Sequence, residues 1–161
     1  MAAIARPREL RRYALRGNAM SYDLMVFEPS VAPRERSAFM EWYQKQTEWS
    51  ESHSYNDPQV SSPALQRWFD EMIQYYPPLN GPLASDDVDD PTVTDHCIGR
   101  HVIYSAFAWS CAVDAYRTMK SLAEKHDLGF FDVSSNEGEI FFPGDFDKLA
   151  HRAPKPWWKF W

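Results

Sequence analysis

The chain has 161 residues, of which 44% are hydrophobic and 16% aromatic, and its formal net charge is −6. A chain of this length and composition can bury one apolar core of its own, which excludes a sequence that is disordered throughout. No apolar run approaches the ~20 residues that a membrane-spanning helix needs, so a membrane protein is not expected.

The charge is distributed unevenly. Residues 20–143 contain 20 acidic and 8 basic side chains, a formal charge of −12, whereas residues 1–19 carry +4 and residues 144–161 carry +2. We therefore predict a basic, disordered extension over 1–19, an acidic α+β domain over 20–143 and a basic aromatic tail over 144–161. The acidic domain should repel phosphate backbones, so no nucleic-acid partner is expected.

Two features bear on the cellular location. Cys97 and Cys111 are the only cysteines, too few for a disulfide framework, which favours reduced thiols in a cytoplasmic protein. The arginine-rich residues 1–19 lack the apolar region of a secretory signal. We interpret them as an extension upstream of Met20 in preference to a targeting segment.

The first half of the chain predicts one strand and two helices. Apolar residues over 22–27 predict the strand, and a helix follows whose first turn contains Pro33. The turn-rich segment SESHSYNDPQVSS ends that helix. Ser62 is the expected cap of a second helix, with Pro63 at its first position. Apolar residues recur there at helical spacing, namely Leu65, Trp68, Phe69, Met72, Ile73 and Tyr76.

The second half begins with a long loop, from Pro77 to Pro91, of a length that usually carries function. Two strands are then predicted, over 92–98 and 101–108. The dipeptide Gly99-Arg100 joins them, and glycine at this position predicts a type II′ turn. A third helix, capped by Ser110, is expected to end at Gly129 in the left-handed conformation.

A final hairpin over 130–142 completes the order β-α-α-β-β-α-β-β. This order predicts an α+β fold, with the helices packed on one face of a mainly antiparallel sheet. Its subset β-α-β-β-α-β is that of a ferredoxin-like fold, with one helix and one strand added. In such a sheet Trp68 and its neighbours should pack against Val102 and Tyr104.

The loop before the hairpin is the leading candidate for a binding site. Between Asn80 and Asp95 the chain has no basic residue and five aspartates, Asp86, Asp87, Asp89, Asp90 and Asp95. Concentrated negative charge of this kind favours capture of a cationic partner. A solvated loop and a calcium loop are the alternatives, although the spacing is not that of an EF-hand.

A second polar segment lies between the first two helices. Its carboxylates and imidazole could serve acid–base chemistry or hold a metal, and the residues concerned are Glu48, Glu51, His53 and Asp57. The same residue types are equally expected in a capping turn.

Other catalytic or metal motifs are weak or absent. His96, Cys97 and His101 lie close together in sequence, but neighbouring strand residues point to opposite faces, so we expect neither a metal nor a cofactor there. The chain has no nucleophile elbow, phosphate-binding loop or dinucleotide fingerprint. The tail sequence PKPWWKFW suits a membrane interface, a docking peptide or a cover for the protein's own surface.

Six strings extend over residues 20–143: SYDLMVFEP, QTEWSE, YNDP, YYPPLNGP, IGRHVIYSAFAWS and GFFDVSSNEGEI. On these strings the chain resembles a family of short, uncharacterised bacterial proteins, and its size and acidity resemble those of immunity proteins of bacterial toxin systems. The resemblance implies no catalytic residue.

Together these features predict a non-enzymatic, acidic protein-binding module, of which an immunity-type inhibitor of a basic toxin domain is the leading version. One alternative is a small metal-dependent or acid–base enzyme that uses the Glu48–Asp57 segment. Another is a sensor of a cationic small molecule, in which aromatic rings supply cation–π contacts.

Overall fold

Five antiparallel strands form one sheet in the computed structural model, which describes residues 21–149. The sheet order is β2-β3-β1-β4-β5. The predictions for residues 1–19 and for residues 150–161 of the tail lie outside the described residues. The elements are β1 (Tyr22–Phe27), α1 (Arg36–Gln46), α2 (Pro63–Met72), β2 (Asp95–Ile98), β3 (Val102–Phe107), α3 (Ala112–Lys125), β4 (Gly129–Phe131) and β5 (Ile140–Phe141).

The expected α+β class and the order of elements along the chain are confirmed. Strand β1 pairs antiparallel with β3, and β3 pairs antiparallel with β2, so β1 and β2 run in the same direction on either side of β3. Helix α2 precedes β2 in the connection from β1, helix α3 connects β3 to β4, and both helices pack on one face of the sheet. This is the ferredoxin-like arrangement, to which α1 and the edge strand β5 are added.

Strand β1 lies at the centre of the sheet, and four consecutive residues, 24–27, are fully buried. Such a run requires both faces of the sheet to be covered. Leu24 and Val26 point into the larger core, beneath α2 and α3. Phe146, beyond the predicted domain boundary at residue 143, is also buried in that core. Its other members include Leu65, Trp68, Phe69, Met72, Ile103, Phe107, Met119, Ala123 and Phe130.

Helix α1 packs on the opposite face, where we expected no helix. Its Phe39 joins Met25 and Phe27 of β1 in a second core. Val102 and Tyr104 also lie on this face, so the prediction that α2 packs against them is wrong. Side chains alternate along a strand, and the residues beneath α2 are the intervening Ile103 and Phe107.

Two turn predictions are also wrong. Gly99 has no positive φ, and its N–H instead donates to the carbonyl of Val102 (2.8 Å), which closes a turn over Arg100 and His101. Asp127, with φ 54°, takes the left-handed position after α3 that we expected of Gly129. Gly129 lies in β4 opposite Phe27, whose ring occupies the space that a side chain would need.

Candidate functional site

The acidic loop is anchored at its base. Backbone hydrogen bonds join Leu79 N–H to the Thr94 carbonyl (2.9 Å) and Thr94 N–H to the Pro77 carbonyl (2.8 Å). Ser85 N–H also donates to the carbonyl of Pro78 (2.9 Å), which ties the far side of the loop to the same base. A loop held in this way presents its side chains with less ordering cost on binding.

The aspartates at the tip of this loop face solvent. Asp86, Asp87 and Asp89 are exposed. Asp90 is half-buried, and its carboxylate accepts hydrogen bonds from the Thr92 N–H and hydroxyl, both at 2.8 Å. These two hydrogen bonds lower the pKa of Asp90. Asp90 therefore shapes the loop, and Asp87 Oδ1 also accepts from the Asp89 N–H (3.2 Å), while the carboxylates of Asp86, Asp87 and Asp89 are exposed to a partner.

Exposed apolar side chains accompany these charges. Leu83 is 48% exposed and Val88 is 68% exposed. The ion pairs of the described residues include those of Glu51 and Glu71, and none of these neutralises the loop. The tip is therefore a surface of negative charge and apolar side chains that no cation of residues 21–147 is seen to neutralise.

The fifth predicted aspartate lies elsewhere. Asp95 is in β2, directly opposite Ala106 of β3, and Asp23 of β1 lies opposite Ala106 on the other side. The two aspartates thus flank a small residue on one face of the sheet, and their Cα atoms are two strand spacings, or about 10 Å, apart. Burial raises the pKa of Asp95, a hydrogen bond from Asn80 opposes the rise, and the charge of Asp23 adds to it.

Sequence reasoning did not identify Asp23 or its partner Tyr104. The Tyr104 hydroxyl donates to Asp23 Oδ2 (2.5 Å), while Asp23 Oδ1 is buried without a hydrogen-bond partner among the described residues. Burial, followed by the charge of Asp23, raises the pKa of Tyr104, so this hydroxyl remains a donor. The sequence feature that could have identified this pair is Asp23 itself, the one charged residue in the otherwise apolar strand β1.

The alternative polar site is only partly assembled. His53 Nε2 forms a short contact with Glu51 Oε2, and His53 Nδ1 accepts from the Tyr55 N–H (3.2 Å). Both ring nitrogens of His53 are therefore occupied within its own loop. Within residues 21–149 no hydrogen bond or ion pair joins this pair to Glu48 or Asp57. Asp57 instead caps a single 3-10 turn through the Gln59 N–H (2.9 Å).

Glu51 has a further structural contact, which ties its loop to the sheet. Its carboxylate accepts from the backbone N–H of Arg100 (3.2 Å), in the turn between β2 and β3. The adjacent Tyr55 extends this attachment, since its carbonyl accepts from Ile98 N–H (2.8 Å). The hydrogen-bonding capacity of Glu51 and His53 is therefore used to fasten the loop.

Glu51→Gln is expected to lower the free energy of unfolding by ~1–2 kcal/mol, because the charge that pairs with His53 and attracts the Arg100 N–H is lost. Urea unfolding of the full chain would measure this loss. Glu48→Gln, a matched change at an exposed carboxylate three residues earlier, should stay within ~0.5 kcal/mol of the parent. Equal effects of the two changes would contradict the structural role of Glu51.

The histidine and cysteine of β2 do not form a metal site. His96 is buried on the α2 face, with Nε2 donating to the Tyr76 carbonyl (2.9 Å) and Nδ1 accepting from the Ser105 hydroxyl (2.8 Å). Its burial lowers its pKa to about 4. Burial also raises the pKa of Cys97, and nearby carboxylates raise it further. Among the described residues, no three histidine, cysteine or acidic side chains are placed to share a metal ion.

Comparisons with known proteins found no match to any family model, curated protein or solved structure. In the part of the chain that the structure describes, no helix has the length and apolarity required to cross a membrane.

Proposed function

We propose that this protein is a non-enzymatic binding module that captures a basic protein partner through its acidic loop. One observation carries the proposal: Asp86, Asp87 and Asp89 are exposed on a loop that backbone hydrogen bonds anchor, and within residues 21–149 no ion pair neutralises them. Carboxylates this close repel one another, and a cationic partner would relieve that repulsion.

The apolar side chains of the loop favour a protein partner over a simple ion. Leu83 and Val88 would be covered by a protein surface, and their burial would contribute hydrophobic energy that charges alone do not supply. The carboxylates would mainly accelerate association, by roughly 10- to 1,000-fold at low ionic strength. The loop thus combines carboxylates that attract a basic partner with apolar side chains that the partner can cover.

An immunity-type inhibitor, which covers a basic toxin domain, is the version of this function that we favour. The charge of −12 over residues 20–143 supports a strongly basic target. Cys97 and Cys111 are both free thiols, which supports the reducing cytoplasm as the location. We do not favour an enzyme that uses the Glu48–Asp57 segment, because Glu51 and His53 bond to their own loop and to the turn after β2, and neither contacts Glu48 or Asp57.

Capture of a cationic small molecule is a second candidate, favoured by the carboxylates of Asp23 and Asp95 on the sheet. Asp23 Oδ1 is buried without a hydrogen-bond partner among the described residues, and a ligand ammonium group would supply the missing donor. Isothermal titration calorimetry with linear diamines tests this candidate. Asp23→Asn should abolish such binding, whereas neutralising the loop should leave it unchanged.

Neutralising the loop should slow association with the protein partner. The variant combines Asp86→Asn, Asp87→Asn, Asp89→Asn and Asp90→Asn, and the partner is the protein that the full chain retains from native lysate at low salt. We expect the association rate at low salt to fall about tenfold or more, with a flatter salt dependence, because long-range attraction is weakened. Surface-capture kinetics at two salt concentrations would measure both effects.

A matched control changes the net charge equally at exposed sites outside the loop, through Glu41→Gln, Asp70→Asn, Glu124→Gln and Glu137→Gln. This control should slow association less than about threefold, because its charges are farther from the proposed contact. Equal slowing of both variants would mean that the loop acts only through its contribution to the net charge of the protein. An unchanged rate in the loop variant would exclude the loop as the binding surface.

A further inference from the structure

The start of α3 carries an apolar surface that the fold leaves uncovered. Trp109, in the 3-10 turn that precedes the helix, is 51% exposed, and Val113 is 64% exposed. Tyr116 follows Val113 by three residues, so the three side chains lie along one side of the chain. We refer to Trp109, Val113 and Tyr116 as the α3 strip. Between Trp109 and Val113, the Cys111 thiol donates to the Pro91 carbonyl (3.4 Å), so the start of the strip lies beside the end of the acidic loop.

Negative charge borders the α3 strip. Trp109 packs against Tyr22 (ring centroids 5.2 Å apart), whose hydroxyl lies 3.4 Å from both carboxylate oxygens of Asp132. Burial, with the charges of Glu139 and Asp132, raises the pKa of Tyr116 to about 12, which places both carboxylates near the strip. A partner for this surface should therefore be both aromatic and basic.

The described chain ends close to the other end of the strip. Phe146, in the last 3-10 turn, stacks on Phe141 (5.7 Å between ring centroids). Lys120 Nζ lies 4.4 Å from the centroid of the Phe141 ring and 5.7 Å from that of Tyr116. From Lys120 to Val113 the helix is only about 10 Å long.

Residues 150–161 follow directly and have the required chemistry. They include four aromatic residues and no acidic residue, and their basic residues are Arg152, Lys155 and Lys159. Twelve residues in extended form span about 40 Å, several times the distance along α3 to Val113. Residues 1–20 are also basic, but Tyr13 is their one aromatic residue, so they match the apolar strip less well.

We propose that residues 150–161 bind the α3 strip of the same chain. Their aromatic rings cover Trp109 and Val113, and their basic side chains lie beside the bordering carboxylates. This interaction is independent of the function proposed for the acidic loop. It gives the aromatic segment a role within the protein, in place of a membrane or a separate docking partner.

Limited trypsin digestion of the full chain tests the proposal, with mass spectrometry following cleavage after Arg152. Val113→Lys places a positive charge on the strip, which repels the basic side chains of the segment, at a position exposed enough to leave the fold intact. This change should accelerate cleavage after Arg152 about tenfold or more, because proteolysis follows the population of the released segment. The double variant Trp157→Ala and Trp158→Ala should have the same effect. Val31→Lys, at a 42% exposed site outside the strip, is the matched control and should leave the rate unchanged.

Three results would overturn the proposal. The first is an equal cleavage rate in the parent and in Val113→Lys. The second is protection that increases over about a hundredfold range of protein concentration, which would identify a second copy as the occupant. The third is accelerated cleavage of Val113→Lys among the arginines of residues 1–19 instead of at Arg152, which would identify residues 1–19 as the segment that covers the strip.

Discussion

Trp68→Ala is expected to lower the free energy of unfolding by ~3–5 kcal/mol, the usual cost of deleting a large buried aromatic side chain. Trp68 is fully buried on the inner side of α2, and its Nε1–H donates to the Met119 carbonyl of α3 (3.4 Å). The substitution removes this bond and leaves a cavity where both helices meet the sheet. Because closely packed core residues surround the indole, they should not move in to fill the cavity.

Urea unfolding, followed by far-UV circular dichroism, would measure the loss. Trp109→Ala is a matched control, since the same atoms are removed from a side chain that is half exposed and packs against one ring. Its cost should be ~0.5–1.5 kcal/mol, in the range of one aromatic pair. A loss below ~1 kcal/mol in Trp68→Ala would contradict the packing of α2 on the sheet.

Gly129→Ala should have the second-largest effect, a loss of ~1–3 kcal/mol from overpacking. Gly129 of β4 lies opposite Phe27 of β1, and the aromatic ring covers the glycine backbone. A Cβ at this position would lie 2.1 Å from Phe27 Cζ, a distance that side chains do not tolerate. The ring is itself held by Phe39 and Phe142, at centroid distances of 5.1 and 5.2 Å, so it cannot easily move aside.

A thermodynamic cycle with Phe27→Leu separates this clash from other effects of alanine. With the smaller side chain present, Gly129→Ala should cost at least ~1 kcal/mol less than in the parent. Gly99→Ala serves as the control, because a Cβ there meets its nearest neighbour at 3.4 Å and the residue has no positive φ. Equal costs of Gly129→Ala in both backgrounds would show that the ring is not the obstacle.

Local sequence patterns predicted the type and order of the helices and strands and the fold class, but not every helix start. Helix α1 begins at Arg36 and not around Pro33, and α3 begins at Ala112 without the expected cap from Ser110. Helix α2 begins at Pro63, and the Ser62 hydroxyl caps it by accepting from the Leu65 N–H (3.4 Å), as predicted. The recurrence of Trp68 and Met72 at helical spacing identified its buried side. These features depend on neighbours within about one helical turn, so a single sequence contains the information.

The positions of α1 and of the candidate site residues depended on contacts distant in sequence. An apolar β1 is compatible with a helix on either face, and only the packing of Phe39 on Phe27 assigns α1 to the face opposite α2. Likewise, Asp23 and Asp95 are 72 positions apart in sequence and become neighbours across Ala106 only through the pairing of three strands. Sequence alone determined which carboxylates exist and which lie on a loop. Tertiary structure decided which are exposed, which are buried and which already have a partner, because burial and hydrogen bonding depend on the whole assembled sheet.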